Sequence, residues 1–174
     1  MHTAVMVFHP NMAQSVANKA LMQAAQSIGD QVTVRDMYAL YPDFHVDVAH
    51  EQQLAMASDR IVFQFPLYWY SSPALLKQWQ DDVLAPGWAY AGGHELAGKH
   101  LMLAVTTGGP EETYQFEGRQ GVTMAQLLTP LQAVANRVGM IYDEPFIVHG
   151  AMDGLMTDTR LEEARTAYVQ RLGD

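Results

Sequence analysis

The chain has 174 residues, enough for one domain with a real core and short for two. Apolar residues make up 49% and charged residues 17%, an ordinary globular composition with no apolar run near the roughly 20 residues that cross a bilayer. A formal net charge of −9 argues against binding nucleic acid through phosphates or an anionic membrane surface, and the absence of cysteine removes disulfides and thiol chemistry.

In chain order, "MHTAVMVFHP" opens on an apolar strand at 3–8. No basic region precedes it, so it is not expected to be a signal peptide. A loop, "HPNMAQSVAN", feeds a helix with Val16, Ala20, Leu21, Ala24 and Ile28 on one face. "QVTVRDM" (31–37) is a second strand, and a weaker helix covers about 48–57. "RIVFQF" (60–65) is a third strand. The turn "PLYWYSSP" follows, then a helix with Leu75, Leu76, Trp79 and Val83 aligned. "KHLMLAVT" (99–106) is the fourth strand. A helix then carries Leu127, Leu128, Leu131, Ala135 and Val138 on one side. "MIYDEPFIVH" (140–149) is the fifth strand, and a last helix spans about 158–172. Strands 1, 3 and 4 are near-continuously apolar, as in parallel sheets covered on both faces. The pattern predicts a single α/β domain over 1–174, a three-layer sandwich around a five-stranded parallel sheet of order 2-1-3-4-5.

In such a sheet, ligands bind where the winding reverses, beyond the C-terminal ends of the strands. For this order the loops after strands 1, 3 and 4 meet there. The first can present a helix N-terminus to an anion, with Ser15 and Asn18 beside it. Its alternative is a helix cap and a His-Pro turn. The second carries Tyr68, Trp69 and Tyr70, flat apolar surface for a planar ring or a seam against another chain. The third, "TTGG" (106–109), lets backbone approach a ligand closely, or serves only its turn. No Gly-x-Gly-x-x-Gly, P-loop or Gly-x-Ser-x-Gly motif is present. "HEQQL" (50–54) and "HELAG" (94–98) begin like zinc-protease helices but lack the second His, so no metal site is expected.

The combination "HP…S..N" in 9–18, "LYPDF" at 40–44, "FPLYWYSSPALLKQW", "GWAY" at 87–90, "LAGKHL" at 96–101 and "TTGG" resembles the flavodoxin-like NAD(P)H:quinone oxidoreductases. It is most similar to the short bacterial branch that includes ancillary subunits of glutathione-gated potassium-efflux systems. The resemblance covers most of the chain. It implies a cytoplasmic homodimer binding FMN, with FAD less favoured at this length. Hydride from NAD(P)H would pass through flavin N5 to a quinone in a ping-pong cycle. It implies that His9 and Ser15, Val16, Ala17 and Asn18 hold the phosphate. Pro66, Leu67, Tyr68, Trp69 and Tyr70 would line the isoalloxazine, and Thr106, Thr107, Gly108 and Gly109 its other side. Tyr114 would be catalytic, stabilising charge on the reduced flavin. The family's relay His, six residues beyond that Tyr, falls on Gln120, which cannot take up a proton. Two other roles fit the same resemblance: a regulatory subunit seated at the inner membrane on a potassium-efflux transporter, and a flavodoxin-type electron carrier. A Rossmann-like domain without flavin is the plainest alternative.

Overall fold

Three near-continuously apolar strands set the centre of the molecule, because only a sheet covered on both faces can bury them. The computed structural model describes residues 1–152 and 154–173. Strands β1 (Thr3–Val7), β2 (Val32–Asp36), β3 (Arg60–Pro66) and β4 (His100–Thr106) are parallel neighbours. The sheet runs in the order 2-1-3-4-5, as the alternation predicts.

The fifth position differs from the single strand expected over 140–149. It is divided into β5 (Ile141–Tyr142) and β6 (Phe146–Val148), both paired with β4, so the sheet has six strands. The break falls on Asp143, Glu144 and Pro145. Pro145 has no N–H to give the ladder, whereas the Asp143 N–H still donates to the Leu101 carbonyl of β4 (2.9 Å) and its carboxylate lies 2.7 Å from His100 Nδ1. The run "QVTVRDM" also ends a residue earlier than expected. Asp36 accepts from the Ala39 N–H and starts a one-turn helix, α2 (Met37–Leu40), where a strand was extrapolated.

Helices α1 (Ala17–Gln26) and α6 (Asp158–Gly173) cover one face, with Leu21, Ala25, Tyr168 and Leu172 packed on Val5, Val62 and Ala104. Helices α3 (Val48–Ala57), α4 (Ala74–Val83) and α5 (Met124–Arg137) cover the other with α2. There Trp79 is buried edge-on against Phe63, which meets Phe8 in the same way.

Buried polar groups fasten both layers. Glu51, fully buried on α3, accepts from Arg35 of β2 (2.6 Å), from the Tyr41 hydroxyl (2.7 Å) and from Trp79 Nε1 of α4 (3.0 Å). Burial pushes the Tyr41 phenol up to about 12, and its hydrogen bond to the Glu51 carboxylate adds to the rise. Glu51 of "HEQQL" thus forms a structural ion pair with Arg35. Among the described residues no cluster of His, Asp and Glu could hold a metal. On the opposite side Arg60 donates to the Arg171 and Leu172 carbonyls, satisfying the open end of α6.

Candidate active site

The loops after β1, β3 and β4 meet in one cleft of 320 Å³. His9, Ser15, Val16, Ala17 and Asn18 come from the first, Pro66, Leu67 and Tyr68 from the second, and Thr106, Thr107 and Gly108 from the third. Four expected residues lie outside that lining: Trp69, Tyr70, Gly109 and Tyr114. The lining also includes Asn11 and Gln14, and Ala151 and Met152 from the segment after β6. Sequence reasoning missed this fourth wall. Its one local signal was Gly150, with a φ of 72°, ending the strand.

A buried polar chain sets the floor. Asn18 Nδ2 donates to Thr106 Oγ1 (2.7 Å), Gln64 Nε2 donates to the Asn18 carbonyl (2.9 Å), and the Tyr168 hydroxyl donates to Gln64 Oε1 (3.2 Å). The Asn18 amide and the Thr106 hydroxyl therefore fix the position of α1 against β4. Thr107 is committed likewise, its hydroxyl donating to the Gly109 carbonyl (2.9 Å). The turn also offers backbone donors to a ligand. Among the described residues, the Gly108 and Gly109 N–H groups donate to no other backbone carbonyl.

No side chain caps α1, and its first turn opens at the cleft with Ser15 before it. Its unpaired N–H groups and positive dipole end suit an anion. The chain has 19 acidic residues, yet no Asp or Glu is among the described residues lining this cleft. His9 adds a donor. The Asn11 N–H donates to His9 Nδ1 (3.1 Å), so the neutral ring carries its proton on Nε2. Burial holds the His9 imidazole below its ordinary pKa, with Asp36 opposing the shift. Such a set fits the dianionic phosphate and planar ring of FMN.

The three rings of "YWY" do not form one wall. Tyr68 lines the cleft, its ring 6.3 Å from that of His9. Trp69 and Tyr70 are the two central residues of a turn closed by reciprocal Tyr68 and Ser71 backbone bonds of 2.9 Å. Their φ values are 46° and 65°, the left-handed geometry of a two-residue hairpin turn. A bulky side chain there costs about 1–2 kcal/mol. Trp69 is 93% exposed and so regains little by packing. The double substitution Trp69→Asn and Tyr70→Gly should raise the stability of the apoprotein by about 1–2 kcal/mol. Urea titration checks it; an unchanged or lower midpoint would mean that the rings are supported by contacts worth the strain.

The flavodoxin-like fold family model matches residues 1–172. An NAD(P)H oxidoreductase of Bacillus subtilis (strain 168), YrkL, itself uncharacterised, is 50% identical over 153 residues, 87% of this chain and 87% of its own. The glutathione-regulated potassium-efflux system ancillary protein KefG of Yersinia pestis (strain Pestoides F) is 47% identical over 165 residues, 94% of this chain and 89% of its own. Among solved structures, general stress protein 14 of Treponema denticola in complex with FMN superposes with a TM-score of 0.93 at 36% identity, covering 99% of this chain and 98% of that one. An NADPH-quinone reductase of P. pentosaceus superposes at 0.89 with 32% identity, covering 99% and 98%. With the sheet order, the cleft at the winding reversal and a family match over nearly its whole length, this chain belongs to the flavodoxin-like family, among relatives named as NAD(P)H oxidoreductases.

Proposed function

We propose that this oxidoreductase, acting as one unit over 1–174, holds FMN in the cleft and carries reducing equivalents from NAD(P)H to a quinone by a ping-pong cycle. One observation carries the reading: the uncapped start of α1 and the Thr106–Gly109 turn face one cleft that carboxylates avoid. FMN bound in the Treponema denticola structure and the name NADPH-quinone reductase of the P. pentosaceus structure support it. When bound, FMN supplies the hydride-accepting and hydride-donating ring. The chain supplies the rest. His9, Ser15 and the first turn of α1, Val16 to Asn18, hold the phosphate. Pro66, Leu67 and Tyr68 exclude water from one side of the ring, with Trp69 and Tyr70 at the rim. In the Thr106–Gly109 turn, the backbone N–H groups of Gly108 and Gly109 stabilise negative charge at its polar edge, and Tyr114, buried behind that turn, supports it.

The protein should purify yellow and release FMN on denaturation. It should oxidise NAD(P)H only when a quinone such as menadione is added, with parallel double-reciprocal plots. Tyr114→Phe should slow reduction of the bound flavin in stopped flow. A colourless chain that ignores added FMN would end this reading, and intersecting plots would end the ping-pong part of it.

A second role has its own support. The KefG relative is named as an ancillary protein of a potassium-efflux system, so this chain would seat on such a transporter as a peripheral partner. No described helix is long and apolar enough to cross a membrane. The exposed Trp69, Tyr70 and Phe116 suit a protein contact, either there or in a homodimer.

A further inference from the structure

The turn Thr106–Gly109 is stitched to the segment after β6 by three backbone bonds. Thr107 donates to the Val148 carbonyl (3.0 Å), Gly150 to that of Gly109 (2.9 Å) and Ala151 to that of Thr107 (2.8 Å). Between those contacts stands His149. Its Nδ1 lies 2.9 Å from Thr107 Oγ1, and its ring stacks on Tyr114 with centroids 5.6 Å apart. The Thr107 hydroxyl has one proton, and it goes to the Gly109 carbonyl. His149 Nδ1 must therefore carry hydrogen and donate to Thr107, which leaves Nε2 as a bare lone pair in the neutral ring. His149 also lines a second groove of 550 Å³ that shares no lining residue with the cleft. Glu111 and Glu112 face it there from the 3-10 turn before Tyr114, and Arg160 and Glu163 from α6.

We propose that His149 is a charge-balancing positioning residue for the cofactor cleft, acting through Thr107 from behind the turn. It rests on the reading of the cleft as an FMN site. Negative charge placed against the cleft is matched by a proton taken up on Nε2 from solvent, where hydronium or a buffer acid gives up its proton and leaves water or the conjugate base. The resulting imidazolium keeps its Nδ1–H on Thr107. The stack on Tyr114 holds the ring in plane for this bond, and Arg160, donating to the His149 carbonyl at 3.1 Å, fixes its backbone. The neighbours leave the site poised. Burial holds the imidazole below its ordinary 6.5, Glu111 and Glu112 raise it, and Arg160 lowers it. Burial thus favours the neutral ring, and any further negative charge brought into the cleft favours the protonated one. Gln120, in contrast, is joined to this turn only through its N–H on the Thr113 carbonyl (3.3 Å) and has no titrating group.

The test uses the FMN-loaded chain and His149→Gln, which keeps an N–H for Thr107 but cannot ionise. In the native chain, NMR titration should place the His149 midpoint about one pH unit higher with reduced than with oxidised FMN. Coupling of that size should lower the flavin midpoint potential of His149→Gln at pH 6, and remove a bend from its pH dependence. Cofactor reduction by NADPH at pH 6 should fall about tenfold in the variant. An imidazole midpoint indifferent to the redox state, or a variant with the native potential at every pH, would overturn the proposal while leaving FMN binding intact. Failure of the chain to bind FMN at all overturns both. The NMR titration needs no variant, so misfolding of His149→Gln cannot rescue the idea.

Discussion

Ser15→Asp should give an apoprotein at least as stable as the native one, yet weaken FMN binding by about a hundredfold or more. Ser15 has extended dihedrals (φ −76°, ψ 127°) before a helix that no side chain caps. An aspartate in that position can accept from the first-turn N–H groups and complement the helix dipole, worth about 0.5–1 kcal/mol. The same carboxylate would lie where the phosphate is proposed to sit. Two unit charges 4 Å apart near a protein surface repel by roughly 4 kcal/mol. With solvent screening removing roughly 30% of that, about 2.8 kcal/mol remains, or two orders of magnitude in affinity. Thermal denaturation of the apoprotein and flavin-fluorescence titration read the two quantities separately. Ser15→Asn, a cap without charge, is the control and should retain most of the affinity. Undiminished FMN affinity in the aspartate variant would place the phosphate elsewhere.

Glu51→Ala should destabilise the fold by about 3–5 kcal/mol, because it leaves a buried guanidinium, a phenol and an indole N–H without their shared acceptor. For a chain of this size each kcal/mol moves the melting point by roughly 2–4 °C, so a fall of about 6–20 °C is expected. Glu51→Gln keeps one acceptor oxygen and should cost less. It should also lower the Tyr41 phenol from its value near 12, since the hydrogen bond to the carboxylate and its charge both contribute to the rise. A melting point unchanged in Glu51→Ala would mean that water replaces the carboxylate. The cluster lies on the face of the sheet away from α1, so FMN bound per folded molecule should stay the same.

Much of the cleft was legible because the winding reversal follows from strand order. Once order 2-1-3-4-5 is drawn, the loops after β1, β3 and β4 must converge, and 11 of their proposed residues do line one cavity. The rings were harder. A run of Tyr, Trp and Tyr suggests a wall, but the hairpin turn between Tyr68 and Ser71 sends Trp69 and Tyr70 outward and leaves Tyr68 inside. No property of the three side chains states which of them the turn will expose. The hydroxyls of Thr106 and Thr107 were hard to read for a similar reason: each has a partner distant in sequence or set by the turn, Thr106 accepting from Asn18 and Thr107 donating to the Gly109 carbonyl.

By itself the sequence determined the alternation of elements, the helix near 48–57, the buried strands and the unusual loops. Those features follow from spacing along the chain, and the hydrophobic effect acts on that spacing locally. The tertiary structure alone decided which distant groups meet. Tyr168 reaches Gln64 across 104 positions and His149 reaches Thr107 across 42. Parallel strands joined by crossovers bring such residues together, and the pairing depends on register and helix placement. Both are settled by packing of the whole domain, which no short window of residues contains.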